Sequence, residues 1–211
     1  MNGRNHSGDD NNGLSDDGFA GYDAIAISGR GHAMAAGSIH VAPGTLDRIY
    51  SGYASLLADW GYSPGYPPGP RRFTTRWRGD ASGARHRPDF FRDFVRFLAA
   101  TAGIAVSTAT GPGLTPRELT GAVLAERNSR YKHANTTGIA VIRGDHAGPP
   151  YTELTGLAIP RAVDPGLLEL LPHIARMIAH LARDRHFPNP HRMGLGATLD
   201  RMLPGVTHNS F

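Results

Sequence analysis

The chain has 211 residues, 40% of them apolar and 19% charged, with a formal net charge of +4, a composition that fits one ordinary globular domain with a core of its own. It contains no cysteine, which excludes disulfides, thiolate catalysis and Cys-ligated zinc or iron–sulfur centres. No apolar run reaches the roughly 18 residues of a membrane span, and the polar opening residues do not form a signal peptide; a cytoplasmic protein without membrane contact is expected.

The charge is unevenly placed. Arg4 stands against Asp9, Asp10, Asp16, Asp17 and Asp23 in the first 23 residues, so the rest of the chain carries more than the whole positive excess. Residues 1–21, rich in Gly, Asn, Asp and Ser, are expected to form a disordered acidic tail able to compete with anionic partners for a basic surface. Of the 22 basic residues, Lys132 alone is a lysine. Together with the abundant Ala, Gly and Pro, this matches GC-rich coding, which raises arginine everywhere. Clustering, not the overall basicity, therefore carries information.

In chain order, Tyr22–Ser28 reads as a strand and Ser38–Ala42 as a second. The loop between them, GRGHAMAAG, opens with Gly29-Arg30-Gly31 after a strand. Met34 stands where a dinucleotide-binding turn needs its third glycine, and no long helix follows, so a hairpin or wide turn presenting Arg30 and His32 is expected. Thr45–Trp60 is a predicted helix, with Leu46, Ile49, Tyr53 and Leu57 at three- to four-residue spacing and Gly61 as its stop. Residues 63–70, SPGYPPGP, form a polyproline-like connector.

Arg72–Arg78 alternates Phe73, Thr75 and Trp77 with Arg72, Thr74, Arg76 and Arg78, the pattern of a half-buried strand with a basic outer face. A helix is predicted from Pro88 to about Ala102, burying Phe90, Phe91, Phe94, Val95 and Leu98, then a short strand at Ile104–Thr108. Thr115-Pro-Arg-Glu118 is a capping box with proline at the first helical position, opening a helix to about Tyr131. Thr137–Arg143 and Tyr151–Ile159 read as a strand pair, and Asp164 caps a last helix, Pro165–Arg185. The fold class is α/β or α+β: a single domain over residues 22–186 with a mixed central sheet flanked by about four helices. Residues 187–211, broken by Pro and Gly, are expected to be a loosely packed tail.

Three groups of residues point to chemistry. The densest is residues 71–96, where Arg71, Arg72, Arg76, Arg78, Arg85, Arg87, Arg92 and Arg96 accompany three aspartates, with Phe and Trp interleaved. Arginine offers a permanently charged planar fork that matches phosphate and stacks on rings. Nucleic acid or another polyanion is thus the expected partner, held through backbone contacts without base readout. Asp89 and Asp93 are also spaced to pair with Arg92 and Arg96 along a helix.

The second group is Glu126-Arg-Asn-Ser-Arg-Tyr-Lys-His133. On a helix, Glu126, Arg130 and His133 project to one side, giving a candidate acid/base (Glu126, His133) with an anion clamp (Arg127, Arg130) for a phosphorylated or carboxylated metabolite. A helix end decorated by solvated cations, or a non-catalytic interaction protein, accounts equally for these residues.

The third group is the histidines, of which there are 11. His173 and His180 share a helix face but lie about 10.5 Å apart along the axis, too far for one ion. His180 and His186 with Asp184 or His191 come nearest to a ligand set. Solvated or helix-end histidines, with no metal and no cofactor, are the expectation. Ser28, at a strand end near His32, is the sole serine placed like a nucleophile, and no GxSxG elbow is present.

Overall fold

Small residues dominate the first two strands. β1 (Tyr22–Arg30) and β2 (Ala33–Val41) are antiparallel, pairing Tyr22 with Val41 through to Arg30 with Ala33. The turn between them is only Gly31-His32, exposed with Arg30 as expected. The computed structural model describes residues 22–70, 87–130, 140–144, 165–187, 196–203 and 205–211. The predicted strands at Arg72–Arg78 and Tyr151–Ile159 lie outside these residues. One correction concerns β2, which begins at Ala33 and not at Ser38. The AMAAG run lacks a strand's usual β-branched residues, but both of its faces are buried and helix packing selects small side chains there.

After β2 the chain makes a single 3-10 turn at Pro43–Thr45 and enters α1 (Leu46–Asp59), which buries Leu46, Ile49, Tyr53 and Leu57. It ends in a Schellman motif: Gly61, at φ +74°, donates to the Ala58 carbonyl and Tyr62 to the Leu57 carbonyl, both at 2.8 Å. α2 (Arg87–Ala100) presents Phe90, Phe91, Phe94, Val95 and Leu98 inward. β3 (Ile104–Thr110) returns antiparallel to β2.

The predicted capping box then opens α3 (Pro116–Arg130). Glu118 accepts from the Thr115 backbone N–H at 2.8 Å while the Thr115 hydroxyl accepts from the Glu118 N–H at 3.3 Å. These bonds hold the Glu118 carboxyl below the usual carboxylate range. β4 (Ala140–Gly144) pairs parallel with β1, from Asp23 opposite Ala140 to Ile27 opposite Gly144. α4 (Pro165–His186) follows, then α5 (Gly196–Met202) and β5 (Thr207–Ser210), which pairs parallel with the outer edge of β3.

Among the described residues the sheet is mixed and five-stranded, in the order β4-β1-β2-β3-β5, with five α-helices. Strand alternation sorts the core into two layers. Ala24, Ala26, Ile39, Val41 and Val106 face α1, α2, α4 and α5. Ile25, Ile27, Met34, Ala36 and Ala109 face Leu119 and Val123 of α3. The expected α/β domain with a mixed sheet is therefore observed, in three layers. Residues 196–211, expected as part of a loose tail, instead supply a helix with Leu199 fully buried and an edge strand. β5 is too short and polar (THNS) to show alternation, and β3 makes it a strand by offering its edge.

At Gly37 the backbone of α4 lies directly against β2. A Cβ on Gly37 would fall inside the van der Waals surface of the Ala179 backbone nitrogen, with Ala179 Cα at 2.8 Å and the Ala175 carbonyl oxygen at 2.9 Å. Backbone lies on both sides, so nothing can rotate away. Gly37→Ala is expected to destabilise the fold by about 2–3 kcal/mol, or more, read as a lower urea midpoint at unchanged m.

Candidate functional site

The strand directions divide the sheet into two ends. β1, β3, β4 and β5 are mutually parallel, and α3 must run back along β3, because the chain re-enters the sheet at Ala140 opposite Asp23. The end of α3 that carries Glu126, Arg127 and Arg130 therefore lies toward the Asp23 end of its face. There, Asp23 and His40 are direct cross-strand neighbours, both buried. His40 Nδ1–H donates to Asp23 Oδ1 at 2.6 Å. With Nδ1 committed to the carboxylate, Nε2 is the basic nitrogen of the neutral ring. Ser38 stands two residues along the same face and donates to the Ser107 carbonyl at 3.4 Å.

Glu126 is half-buried on this helix, and Arg127 and Arg130 belong to it, their side chains outside the description, as is His133. The sequence reading missed Asp23 and His40. Their only sequence signal was two polar residues at mirrored positions of adjacent strands, visible once the hairpin register is known.

At the opposite end and on the other face, β1 finishes against α4. The Ser28 hydroxyl donates to His180 Nδ1 at 3.4 Å and Arg183 Nη2 donates to the same nitrogen at 3.0 Å. Since a guanidinium can only donate, His180 carries its proton on Nε2. Phe91 stacks on the ring at 6.0 Å, with 12° between the planes. Ser28, His180, Arg183 and Asp184 are all buried. The expectation of solvated histidines is thus corrected at 173 and 180, both of which are interior. α4 is apolar around most of its circumference because helices and sheet surround it, and its histidines go in with it.

His173 performs a third such task. The Tyr53 hydroxyl donates to its Nδ1 at 2.7 Å, and its Nε2–H donates to the Pro68 carbonyl at 2.9 Å. This relay fastens the proline connector to α1 and α4 just before the chain enters the arginine-rich segment, and Pro70 is buried beside it. Burial, reinforced by Arg176 and opposed by the Pro68 bond, pushes the His173 imidazole down to about 4. Burial pushes the Tyr53 phenol well up.

Of the predicted polyanion-binding residues, Arg92 and Arg96 are placed with their side chains. They stand on the solvent side of α2, 56% and 62% exposed, and pair with Asp89 and Asp93 at 3.1 and 3.2 Å, the helix pairing expected from their spacing. Arg87 begins the same helix, its side chain outside the description, and Arg72, Arg76, Arg78 and Arg85 lie outside the described residues altogether. Among the described residues no three His, Asp or Glu side chains are grouped to hold a metal ion, so His180, Asp184 and His186 do not converge; His191 lies outside them. No helix among these residues is long and apolar enough to cross a membrane. Compared with family models, curated proteins and solved structures, the chain matches none.

The His173 relay carries a pH signature. Its folded value of about 4 lies below the ordinary 6.5. Below pH 6.5 the unfolded chain therefore binds a proton that the folded chain refuses. The stabilisation is complete above that value and is lost as pH falls toward 4, amounting to about 3 kcal/mol. Urea unfolding of the wild type between about pH 7.5 and about pH 4 is expected to show this loss, and His173→Gln, which keeps a donor and an acceptor, should remove that share of it.

Proposed function

We propose that the chain is a polyanion-binding protein, with nucleic acid as the foremost ligand, acting through the arginine-rich segment 71–96. One observation carries the reading. Asp89 and Asp93 are engaged within α2 by Arg92 and Arg96. That leaves six arginines in residues 71–87 with Asp80 as the sole acid of their own stretch. The helical layer tethers this stretch at both ends, at Pro68 by His173 and at Arg87 by α2. An arginine-dense segment anchored at both ends is suited to tracking phosphates, each neutralised phosphate releasing counterions. Exposed helix pairs such as Arg92–Asp89 are worth only a few tenths of a kcal/mol, so a phosphate backbone competes readily for those two guanidiniums as well. Affinity of this kind is salt-dependent and carries no sequence preference.

The expected result is binding to single- and double-stranded DNA and RNA that weakens steeply with salt. Arg76→Ala and Arg78→Ala should each flatten the log–log salt slope by about one unit for every phosphate that the variant no longer neutralises. Absence of binding at about 50 mM salt would overturn the reading.

The buried Asp23–His40 pair favours a second reading, that of a small enzyme acting on a phosphorylated or carboxylated metabolite. An imidazole oriented by a carboxylate is the arrangement used by a general base. It lies on the face of the sheet that α3 covers, toward the helix end bearing Glu126, Arg127 and Arg130, which would act with His133 as acid/base and anion clamp. Under this reading Glu126→Gln and His133→Asn remove turnover of a responsive metabolite by about a hundredfold or more without lowering Tm. A panel of phosphorylated and carboxylated metabolites, screened by turnover and by thermal shift, supplies the substrate. If both variants keep full activity, these roles are excluded.

A further inference from the structure

β5 is a four-residue edge strand, and outside its backbone ladder it is held by one side-chain chain centred on His208. The Thr108 hydroxyl donates to His208 Nδ1 at 2.7 Å. His208 Nε2–H donates to Asp200 Oδ1 at 2.9 Å, and Arg185 Nε donates to Asp200 Oδ2 at 2.8 Å. The imidazole thus accepts on one nitrogen and donates on the other, which only its neutral form can do. Through it β3, β5, α5 and the last turn of α4 meet at one point.

We propose that His208 is an acid-sensitive latch: its protonation detaches the C-terminal strand from the sheet and opens the outer edge of β3. Adding a proton to Nδ1 turns that nitrogen from acceptor to donor. It then faces the Thr108 hydroxyl, whose own proton loses its acceptor at a fully buried position. The new positive charge arises beside Arg185 and His186 of α4, with Asp200 of α5, already shared with Arg185, as the compensating anion among the described residues. α3 packs on the other face of β5, toward which Thr207 and Asn209 point. Burial first, then Arg185, outweigh Asp200 and hold the His208 imidazole below its ordinary value. His186 is lowered likewise, by burial and then Arg185. Both rings are therefore neutral in the latched state, and the latch weakens only as pH falls below 6.5.

Little else fastens the strand. Its register runs from Ser107 opposite Thr207 to Thr110 opposite Ser210, closed by the Phe211 N–H on the Thr110 carbonyl at 3.1 Å. Its residues are half-buried or exposed and supply no large apolar side chain to the core. A segment of this kind opens locally at a free energy below that of global unfolding.

Amide hydrogen exchange on the full chain, expressed as protection factors from about pH 7.5 to about pH 5, tests the latch. Residues 207–211 are expected to lose about tenfold or more protection beyond whatever loss residues 24–27 and 36–39 of β1 and β2 show from the His173-linked fall in global stability. Thr108→Val, which removes the donor to Nδ1, should move the midpoint of release to higher pH; a merely structural loss would lower protection at every pH without moving it. In His208→Gln the pH dependence of these amides should vanish. Loss of protection in step with β1 and β2, no loss at all, or an unchanged midpoint in His208→Gln would each overturn the proposal.

Discussion

The close approach of α4 to β2 at Gly37 is the constraint on which the rest of the molecule depends. A helix can lie with its backbone against a strand only where both surfaces are stripped of side-chain volume. Here the strand offers Gly37, with Ala35 two residues along the same strand and Ala26 beside it, and the helix offers Ala175 and Ala179. The contact runs along the middle of the sheet, so α4 brings Arg183, His180 and His173 to one flank and Arg185 and His186 to the other. Dispersion and burial in this thin layer exact a dense fit, which explains why the alanine-rich stretch, poor in intrinsic strand preference, is a strand.

With the helix seated, its polar residues act as fasteners. His173 and His180, with His208 on β5, each accept a hydrogen bond on Nδ1, from Tyr53, from Ser28 and Arg183, and from Thr108. The Tyr53, Ser28 and Thr108 bonds each join segments far apart in sequence: α1 to α4, β1 to α4, β3 to β5. A buried imidazole serves well here because it bridges a donor and an acceptor without carrying charge into a low-dielectric interior. In a chain whose cations are nearly all arginine, neutral histidines allow interior polar links that guanidiniums would make only at a high desolvation cost.

The proposed binding segment is related to this scaffold by its ends. The His173 relay holds the proline connector on one side, and α2 receives the chain on the other through a face of Phe90, Phe91, Phe94, Val95 and Leu98. Arginine density sets affinity for phosphates, whereas fixed attachment points at both ends of the segment reduce the entropy lost on association. The Asp23–His40 pair lies on the opposite face of the sheet, so a chemical role for it and a polyanion role for the arginine segment use different parts of the molecule.

The element types were legible from the sequence wherever a local signal was strong. The 3.6-residue spacing of Leu46, Ile49, Tyr53 and Leu57, the Thr115–Glu118 capping box and the Gly29–Gly31 turn each encode their structure within a few residues. So did the pairing of Asp89 and Asp93 with Arg92 and Arg96, which needs only helix geometry. The extent of β2, the strand at 207–210, the burial of His173 and His180 and the Asp23–His40 pair were not legible. All four depend on partners distant in the chain: α4 against Gly37, the free edge of β3, the Tyr53 hydroxyl, and the hairpin register. The sequence by itself determined the four longer helices, α1 to α4, and where arginine accumulates, because propensity, capping and composition act over one or two turns; α5, in the stretch expected as a loose tail, was not among them. Only the tertiary structure decided which polar residues enter the interior and which strand completes the sheet, because burial and hydrogen-bond satisfaction belong to the packed whole and not to any stretch of it.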